Sequence, residues 1–374
     1  MTGPRIAARA RAIPLGLGKS LHATPGPGSI DLSIGLPGYP EPPAELVEAA
    51  IGRLRSGDHQ YEETAGSPGA RALIAASYDV PTDPDTEVTI TNGATEALTA
   101  ALLTFCEPGD EVIVFEPFYT NFLSAIALSG ARPRFVRLHA PDWTYDPAEL
   151  AAAFTPATRA IIVNTPNNPT GHVFTPAELT EIARHCRERD IPLLADEVYA
   201  HYVHEGRWTS VTGIEEARDL CVAIGSLSKS HAVSGWRIGH IRAPAPLTAA
   251  IRRVHEAITG STAAPLQNAL VLAGLTPSTW DQAALMRSLR DRALTAFQTL
   301  GLKTFTPAGG CYFLADAPDA SGFACAERLY ADHGIIIAPG ELFYAEPPET
   351  ARIRVAFNKS PELIEKLVER VAQG

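Results

Sequence analysis

Between about residue 45 and residue 242 the chain alternates short β-branched or apolar runs with longer amphipathic stretches, and no other feature narrows its fold as much. Seven runs, at residues 88–91, 111–115, 132–137, 160–164, 191–196, 221–225 and 237–242, have strand length. Several are apolar throughout, as strands covered on both faces are. The spacing between most neighbours leaves room for the crossover helix that parallel pairing requires. Two helix starts are explicit. Asp146-Pro147 sets a capping oxygen before a proline at the first helical position, and Thr175-Pro176-Ala177-Glu178 has capping-box spacing. The pattern predicts an α/β fold with a mainly parallel seven-stranded sheet and helices on both faces.

The organisation changes after about residue 285. A long helix is expected at 287–300, then strands at 311–314, 335–337 and 352–357 with a helix among them, and a final helix from Pro361. These elements predict a smaller α+β domain. The Pro/Gly-rich run from 25 to 43 is too rich in helix breakers for regular structure and too apolar for a free linker, so it is expected to wrap a surface and line a site. The resulting division is 1–44 as the N-terminal segment of the small domain, 45–286 as the large domain and 287–374 as the rest of the small domain. A chain of 374 residues, 45% of them hydrophobic, can bury two such cores.

Charge and cysteine usage exclude several function classes. The formal charge of −11, without a basic run, argues against nucleic acid as a partner. Five scattered cysteines lack metal-site spacing, so no metal is expected and the thiols are read as reduced. No segment approaches the roughly 20 uninterrupted apolar residues of a membrane span, and no secretory leader is seen; a cytoplasmic protein without a membrane partner is expected.

The chemistry is concentrated in Gly225-Ser226-Leu227-Ser228-Lys229-Ser230-His231-Ala232-Val233-Ser234-Gly235-Trp236-Arg237-Ile238-Gly239. An amine beside hydroxyls and a guanidinium suits a phosphorylated carbonyl ligand. The amine adds to the carbonyl, while Ser226, Ser228 and Arg237 bind phosphate oxygens. Thr91-Asn92-Gly93-Ala94-Thr95-Glu96 runs from strand through glycine into helix, where free backbone N–H groups and the helix dipole make a second phosphate seat. Asp196-Glu197-Val198-Tyr199 stands at a strand end, where open α/β sheets place ligand-binding residues. Asn164-Thr165-Pro166-Asn167-Asn168-Pro169-Thr170-Gly171 follows another buried strand, and Glu116-Pro117-Phe118-Tyr119 a third. Each of these alone is ordinary cap, turn or core chemistry.

Together and in this order they resemble the fold-type I enzymes that use pyridoxal 5′-phosphate (PLP), in particular the class I/II aminotransferases, from about residue 31 to 357. The resemblance implies the PLP-dependent transferase fold and PLP as cofactor. It also implies transfer of an amino group between an α-amino acid and a 2-oxo acid by a ping-pong mechanism. Lys229 matches the Schiff-base lysine, and Ser226 and Arg237 match phosphate ligands, with Gly93, Ala94 and Thr95 in the phosphate loop. Tyr119 matches the ring that stacks on the pyridine. Asp196 matches the partner of the pyridinium nitrogen, which keeps the ring an electron sink. Asn168 and Tyr199 match the donors to the phenolic oxygen.

For the substrate carboxylate the resemblance offers Arg354, with Arg352 as the competing candidate, and Gly35 beside it; Asn168 belongs to this group as well. Tyr61 matches a tyrosine offered to the phosphate of a neighbouring subunit, which implies a homodimer with shared sites. Three departures stand out. Gly38-Tyr39 replaces the family's acidic-aromatic pair, Tyr344 stands where a glycine is usual, and His172 follows the Asn-Pro-Thr-Gly element. Residues 259–265 supply no distal arginine, which disfavours aspartate as substrate. His201, His231 and Cys311, near the motif segments, are expected to be structural. The cofactor motifs leave open a lyase, synthase, oxidase or cyclase of the same fold and, more remotely, a non-catalytic PLP-binding sensor.

Overall fold

The computed structural model describes residues 4–14, 26–35, 39–274 and 282–373. Gly38, one of the residues singled out in the N-terminal motif, lies outside them.

A two-residue strand, β1 (Ile30–Asp31), comes first. This corrects the expectation that the Pro/Gly-rich run has no regular structure. Ile30 and Leu32 are completely buried, so this short apolar stretch is extended by packing and pairing rather than by its local propensity.

All seven runs expected in the first part of the chain form strands. They are β2 (Val88–Thr91), β3 (Glu111–Glu116), β4 (Arg132–Arg137), β5 (Thr158–Asn164), β6 (Leu193–Asp196), β7 (Cys221–Ser226) and β8 (Gly239–Arg242). They make one sheet in the order β2-β8-β7-β6-β5-β3-β4. The pairs from β7 through β6, β5 and β3 to β4 are parallel, whereas β8 is antiparallel to both β7 and β2. The reason lies in the connections. Residues 227–238, which join β7 to β8, leave no room for a full crossover, so the chain turns back on itself. That return carries Lys229.

Strand β8 begins at Gly239 rather than at Arg237, because Arg237 sits at φ 56°, in the left-handed region that ends an extended run. Likewise β6 begins at Leu193, because the N–H of Ile191 is still bonded to the carbonyl of Cys186 at the end of the preceding helix. Both expected helix starts are present. Asp146 accepts from the N–H of Ala148, and Thr175 and Glu178 form the complete capping box.

The later elements are β9 (Lys303–Thr304), β10 (Tyr312–Asp316), β11 (Ile335–Ile336), β12 (Ala338–Pro339) and β13 (Arg352–Ala356). β12, β13, β10 and β9 form an antiparallel sheet, and β11 pairs in parallel with β1. The long helix runs from Ala283 to Thr299 and the final one from Pro361 to Gln373. Their apolar faces bury Phe297, Leu289, Ile364 and Leu367 against Phe313, Ile353 and Phe357. Each such side chain contributes about 1.5–3 kcal/mol of burial.

Helices 93–105 and 176–187 cover opposite faces of the large sheet, since they pack into two different apolar clusters. Among the described residues no helix is long and apolar enough to cross a membrane, and no cluster of potential metal ligands occurs.

Candidate active site

A cavity of about 360 Å³ opens where β5, β6 and β7 end, and its wall includes Ile34 and Gly35 from the N-terminal run and Tyr312 and Arg354 from the smaller sheet. This is where parallel sheets place their ligands, because neighbouring strand ends and the helices that follow them diverge there. Lys229, Asp196, Tyr199 and Tyr119 line it, as do Asn168, Ser226, Ser228 and Arg237. Ala94 and Thr95 also line it, at the start of the helix Gly93–Phe105. Gly93 itself lies just behind the wall. It adopts φ 77°, and a Cβ there would overlap the Arg237 guanidinium, so glycine suits both the backbone and the close approach of Arg237. Tyr61 stands apart. It is 94% exposed and borders a separate recess with His59 and residues 261–264.

The Lys229 amine donates to the Gly35 carbonyl at 2.7 Å. Burial pushes its pKa down; Cys311 opposes this, and the guanidinium groups of Arg354 and Arg237 add smaller downward pushes. A larger fraction of neutral amine follows, the form that attacks a carbonyl. Asp196 is the opposite case. Burial raises its carboxyl pKa to about 7, offset only by the N–H of Val198 at 3.3 Å. No cation among the described residues pairs with it. A buried carboxylate so sparsely partnered is suited to a cationic ligand group.

Arg354 is only 2% exposed. Its Nη1 donates to Asn168 Oδ1 at 3.1 Å and its Nη2 to the Ser33 carbonyl at 2.6 Å, while Nε has no partner among the described residues. The guanidinium lies between two rings, 4.2 Å from the Tyr312 centroid and 4.5 Å from that of Phe343. Arg352, its rival from sequence, is directed elsewhere. It pairs with Asp316 at 2.7 Å, donates to the Tyr344 hydroxyl at 2.9 Å and covers Trp143 and Phe305. The unusual tyrosine at 344 is thereby part of the Arg352 cluster.

The phosphate-seat candidates are held by local bonds. Ser226 caps the short helix Leu227–Ser230 by accepting from the N–H of Ser228, and its own hydroxyl donates to the Ile238 carbonyl. Arg237 donates to the Ser234 carbonyl at 2.8 Å. Two of the non-glycine residues with positive φ, Ala232 and Arg237, fall in this one connection. Such backbone costs roughly 1–3 kcal/mol per residue and persists where its surroundings enforce it.

Three buried residues escaped the sequence reading. Asn164 accepts from the N–H of Asn168 at 2.7 Å and donates to the Asp196 carbonyl at 3.0 Å, locking two motif segments together. Ser33 supplies the carbonyl that orients Arg354. Tyr312 reaches the cavity from β10, and the signal available was a phenol beside the apolar Phe313 and Leu314. The departing His172 is paired with Glu178 at 3.2 Å. Cys311 is fully buried.

These groups fit PLP by their chemistry. The cavity offers hydroxyls, a guanidinium and helix-start N–H groups for a phosphate, a sparsely partnered carboxylate for a ring N–H, an amine for a carbonyl, and Tyr119 for stacking. The comparisons with known proteins agree. The family described as aminotransferase class I and II matches residues 27–371. Methionine aminotransferase of Escherichia coli K12 is 32% identical over 92% of this chain and 92% of its own length. The structure of N-succinyldiaminopimelate aminotransferase from Mycobacterium tuberculosis superposes with a TM-score of 0.91 at 30% identity, covering 99% of this chain and 100% of that one. Thermus thermophilus aspartate aminotransferase, as a single mutant, does so at 0.89 and 29%, covering the whole of both chains.

Proposed function

Because the chain belongs to the class I and II aminotransferases and is a PLP-dependent transaminase, we propose that it moves the amino group of an α-amino acid to a 2-oxo acid in two half-reactions at the cavity around Lys229. The observation that carries this reading is the convergence of Lys229, Asp196 and Arg354 in one cavity from three distant stretches of chain.

When bound, PLP supplies an aldehyde that takes up amines and a ring that accepts the electrons released at the substrate's Cα. Ser226, Ser228, Arg237 and the N–H groups of Ala94 and Thr95 would hold its phosphate. Asp196 would hold the ring N–H, Asn168 and Tyr199 the phenolic oxygen, and Tyr119 the ring face. Arg354 binds the substrate carboxylate, for which a planar fork of donors is better suited than an ammonium. With the carboxylate fixed, Lys229 Nζ takes the proton from Cα, helped by burial that favours its neutral form. Burial of Asp196, Lys229 and Arg354 away from bulk water strengthens each electrostatic contact.

The substrate side chain in this reading is neutral. Leu98, Phe122 and Ala125 make an apolar wall, and Arg237 and Arg354 are committed to phosphate and α-carboxylate. The similarity to a methionine aminotransferase supports the same choice. The exposure of Tyr61 supports a homodimer in which it reaches the neighbouring site.

The test is direct. Purified protein should show a visible cofactor band that borohydride abolishes, and methionine should convert it to the pyridoxamine form with one equivalent of oxo acid. Lys229→Ala should lose the borohydride sensitivity and lower turnover on the order of 10⁴-fold. A band that survives this substitution unchanged, or release of ammonia in place of stoichiometric amine transfer, would overturn the reading.

A further inference from the structure

Tyr312 touches three parts of the proposed machinery at once. Its hydroxyl lies 3.4 Å from that of Tyr199, and the two rings meet edge to face at 6.0 Å. Its ring covers the Arg354 guanidinium at 4.2 Å. A Cβ on Gly35 would overlap the Tyr312 hydroxyl and ring, so Tyr312 packs directly on the backbone whose carbonyl receives Lys229 Nζ. The register of the smaller sheet explains this reach. Leu314 is opposite Arg354 and Tyr312 is opposite Ala356, so with the period-two alternation of strands Tyr312 and Arg354 share one face. Tyr312 is 5% exposed. A phenol buried to that degree keeps its hydroxyl for a purpose, since phenylalanine would fill the space without a polar group to satisfy.

We propose that Tyr312 is a positioning residue for this site: its hydroxyl donates to Tyr199, freeing the Tyr199 proton for the cofactor's phenolic oxygen, and its ring holds Arg354 flat for the substrate carboxylate. The inference rests on the function proposed above. Hydroxyl protons rotate, so the pair that here bonds from Tyr199 to Tyr312 reverses when a stronger acceptor lies on the far side of Tyr199. A donor that itself accepts a hydrogen bond is polarised and donates more strongly, by about 10–30%. The titratable and charged groups that act on Tyr312 are Cys311 just before β10, Arg354 from β13, Tyr199 after β6 and Tyr119 after β3. None of them supplies Tyr199 with a second hydrogen bond among the described contacts.

Two substitutions separate the hydroxyl from the ring. In Tyr312→Phe the midpoint of the holoenzyme's visible-absorbance pH titration should rise by about 0.4 pH units, because a weaker Tyr199 donor leaves the phenolic oxygen holding its proton to higher pH. Its KM for methionine should stay within about twofold, since the ring remains over Arg354. In Tyr312→Leu the KM, and the dissociation constant of an unreactive carboxylic acid analogue such as 3-(methylthio)propionate, should rise about tenfold through loss of the buried cation–π contact. Tyr199→Phe serves as reference and should move the midpoint further than Tyr312→Phe. An unmoved midpoint in Tyr312→Phe, or a KM increase in Phe as large as in Leu, would overturn the proposal. If Tyr199→Phe also leaves the midpoint in place, it is the role of Tyr199 in the proposed function that fails. Circular dichroism of each variant keeps misfolding apart from these outcomes.

Discussion

Asp196 and Glu197 are consecutive, both buried, and burial lifts both carboxyl pKa values to about 7, yet they do different work. Asp196 faces the large cavity and receives one side-chain-directed hydrogen bond, from the N–H of Val198. Glu197 lines a neighbouring cavity of about 280 Å³ with Tyr78, Trp208 and His240. There it accepts from the Ser210 hydroxyl and, at 2.7 Å, from the N–H of Val211. Burial pushes His240 down to about 3, and its Nε2 meets the Tyr78 hydroxyl. The contrast teaches that burial of a carboxylate does not by itself mark a functional group; the number of donors the fold has already given it does. Glu197 ties down the 210–213 turn, whereas Asp196 retains most of its hydrogen-bonding capacity.

Substitution at the two carboxylates is the strongest way to break this contrast. Asp196→Asn should lower kcat on the order of 10²–10³-fold, the usual result of removing a preorganised charge, and weaken the visible cofactor band. Glu197→Gln should leave turnover within about threefold but cost roughly 1–3 kcal/mol of stability, because an amide NH₂ then faces donors. The reverse ranking in steady-state kinetics and thermal melts would sink the distinction.

A smaller effect is expected at the arginine pair, where the same reasoning applies to cations. Arg354→Lys should raise KM roughly 10–100-fold through loss of a charge-assisted hydrogen bond. Arg352→Lys should leave KM in place and lower the melting temperature, since Arg352 already has Asp316, Tyr344 and the Trp143 face.

The smallest effect is in pH dependence. A carboxyl whose folded pKa is raised stabilises the protein below its unfolded pKa and loses that contribution as pH rises through the folded value. For Asp196 and Glu197 the window runs from the ordinary carboxyl values of 3.8 and 4.5 up to about 7. Stability of the PLP-free protein should therefore fall across it, by at most about 1.4 kcal/mol per pH unit for each group. Adding PLP should flatten the Asp196 share alone, and Asp196→Asn should make the slope insensitive to PLP. An unaltered slope on adding PLP to the wild-type protein would contradict the assignment of Asp196 to the ring nitrogen.

Much of the architecture was legible because it is written in short-range patterns. All seven strands of the large sheet showed as β-branched or apolar runs of strand length, several of them apolar throughout, and the capping residues Asp146 and Thr175 marked helix starts correctly. What escaped were the two-residue strands such as β1 and β12, whose extended form depends on a partner remote in the chain. The backbone of Arg237 escaped too, because a left-handed arginine is imposed by packing and has no local signature.

Lys229, with its hydroxyls and its guanidinium, is a cofactor-type constellation within one connection, and a sequence displays such a constellation whole. The choice between Arg352 and Arg354 belongs to the tertiary structure. Two residues apart on one strand, they point to the same face, so alternation cannot separate them. Register decides: Arg352 is opposite Asp316 and is neutralised there, while Arg354 is opposite Leu314, finds no anion among the described residues, and extends to Asn168 and Tyr312. Adjacent Asp196 and Glu197 are separated for the same reason, by which distant loop meets each side chain. Lys229 and the candidate phosphate groups Ser226, Ser228 and Arg237 are neighbours in sequence, whereas the meeting of Arg237 with Gly93, the charge balance of the carboxylates and the surroundings of Arg354 are set by neighbours in space.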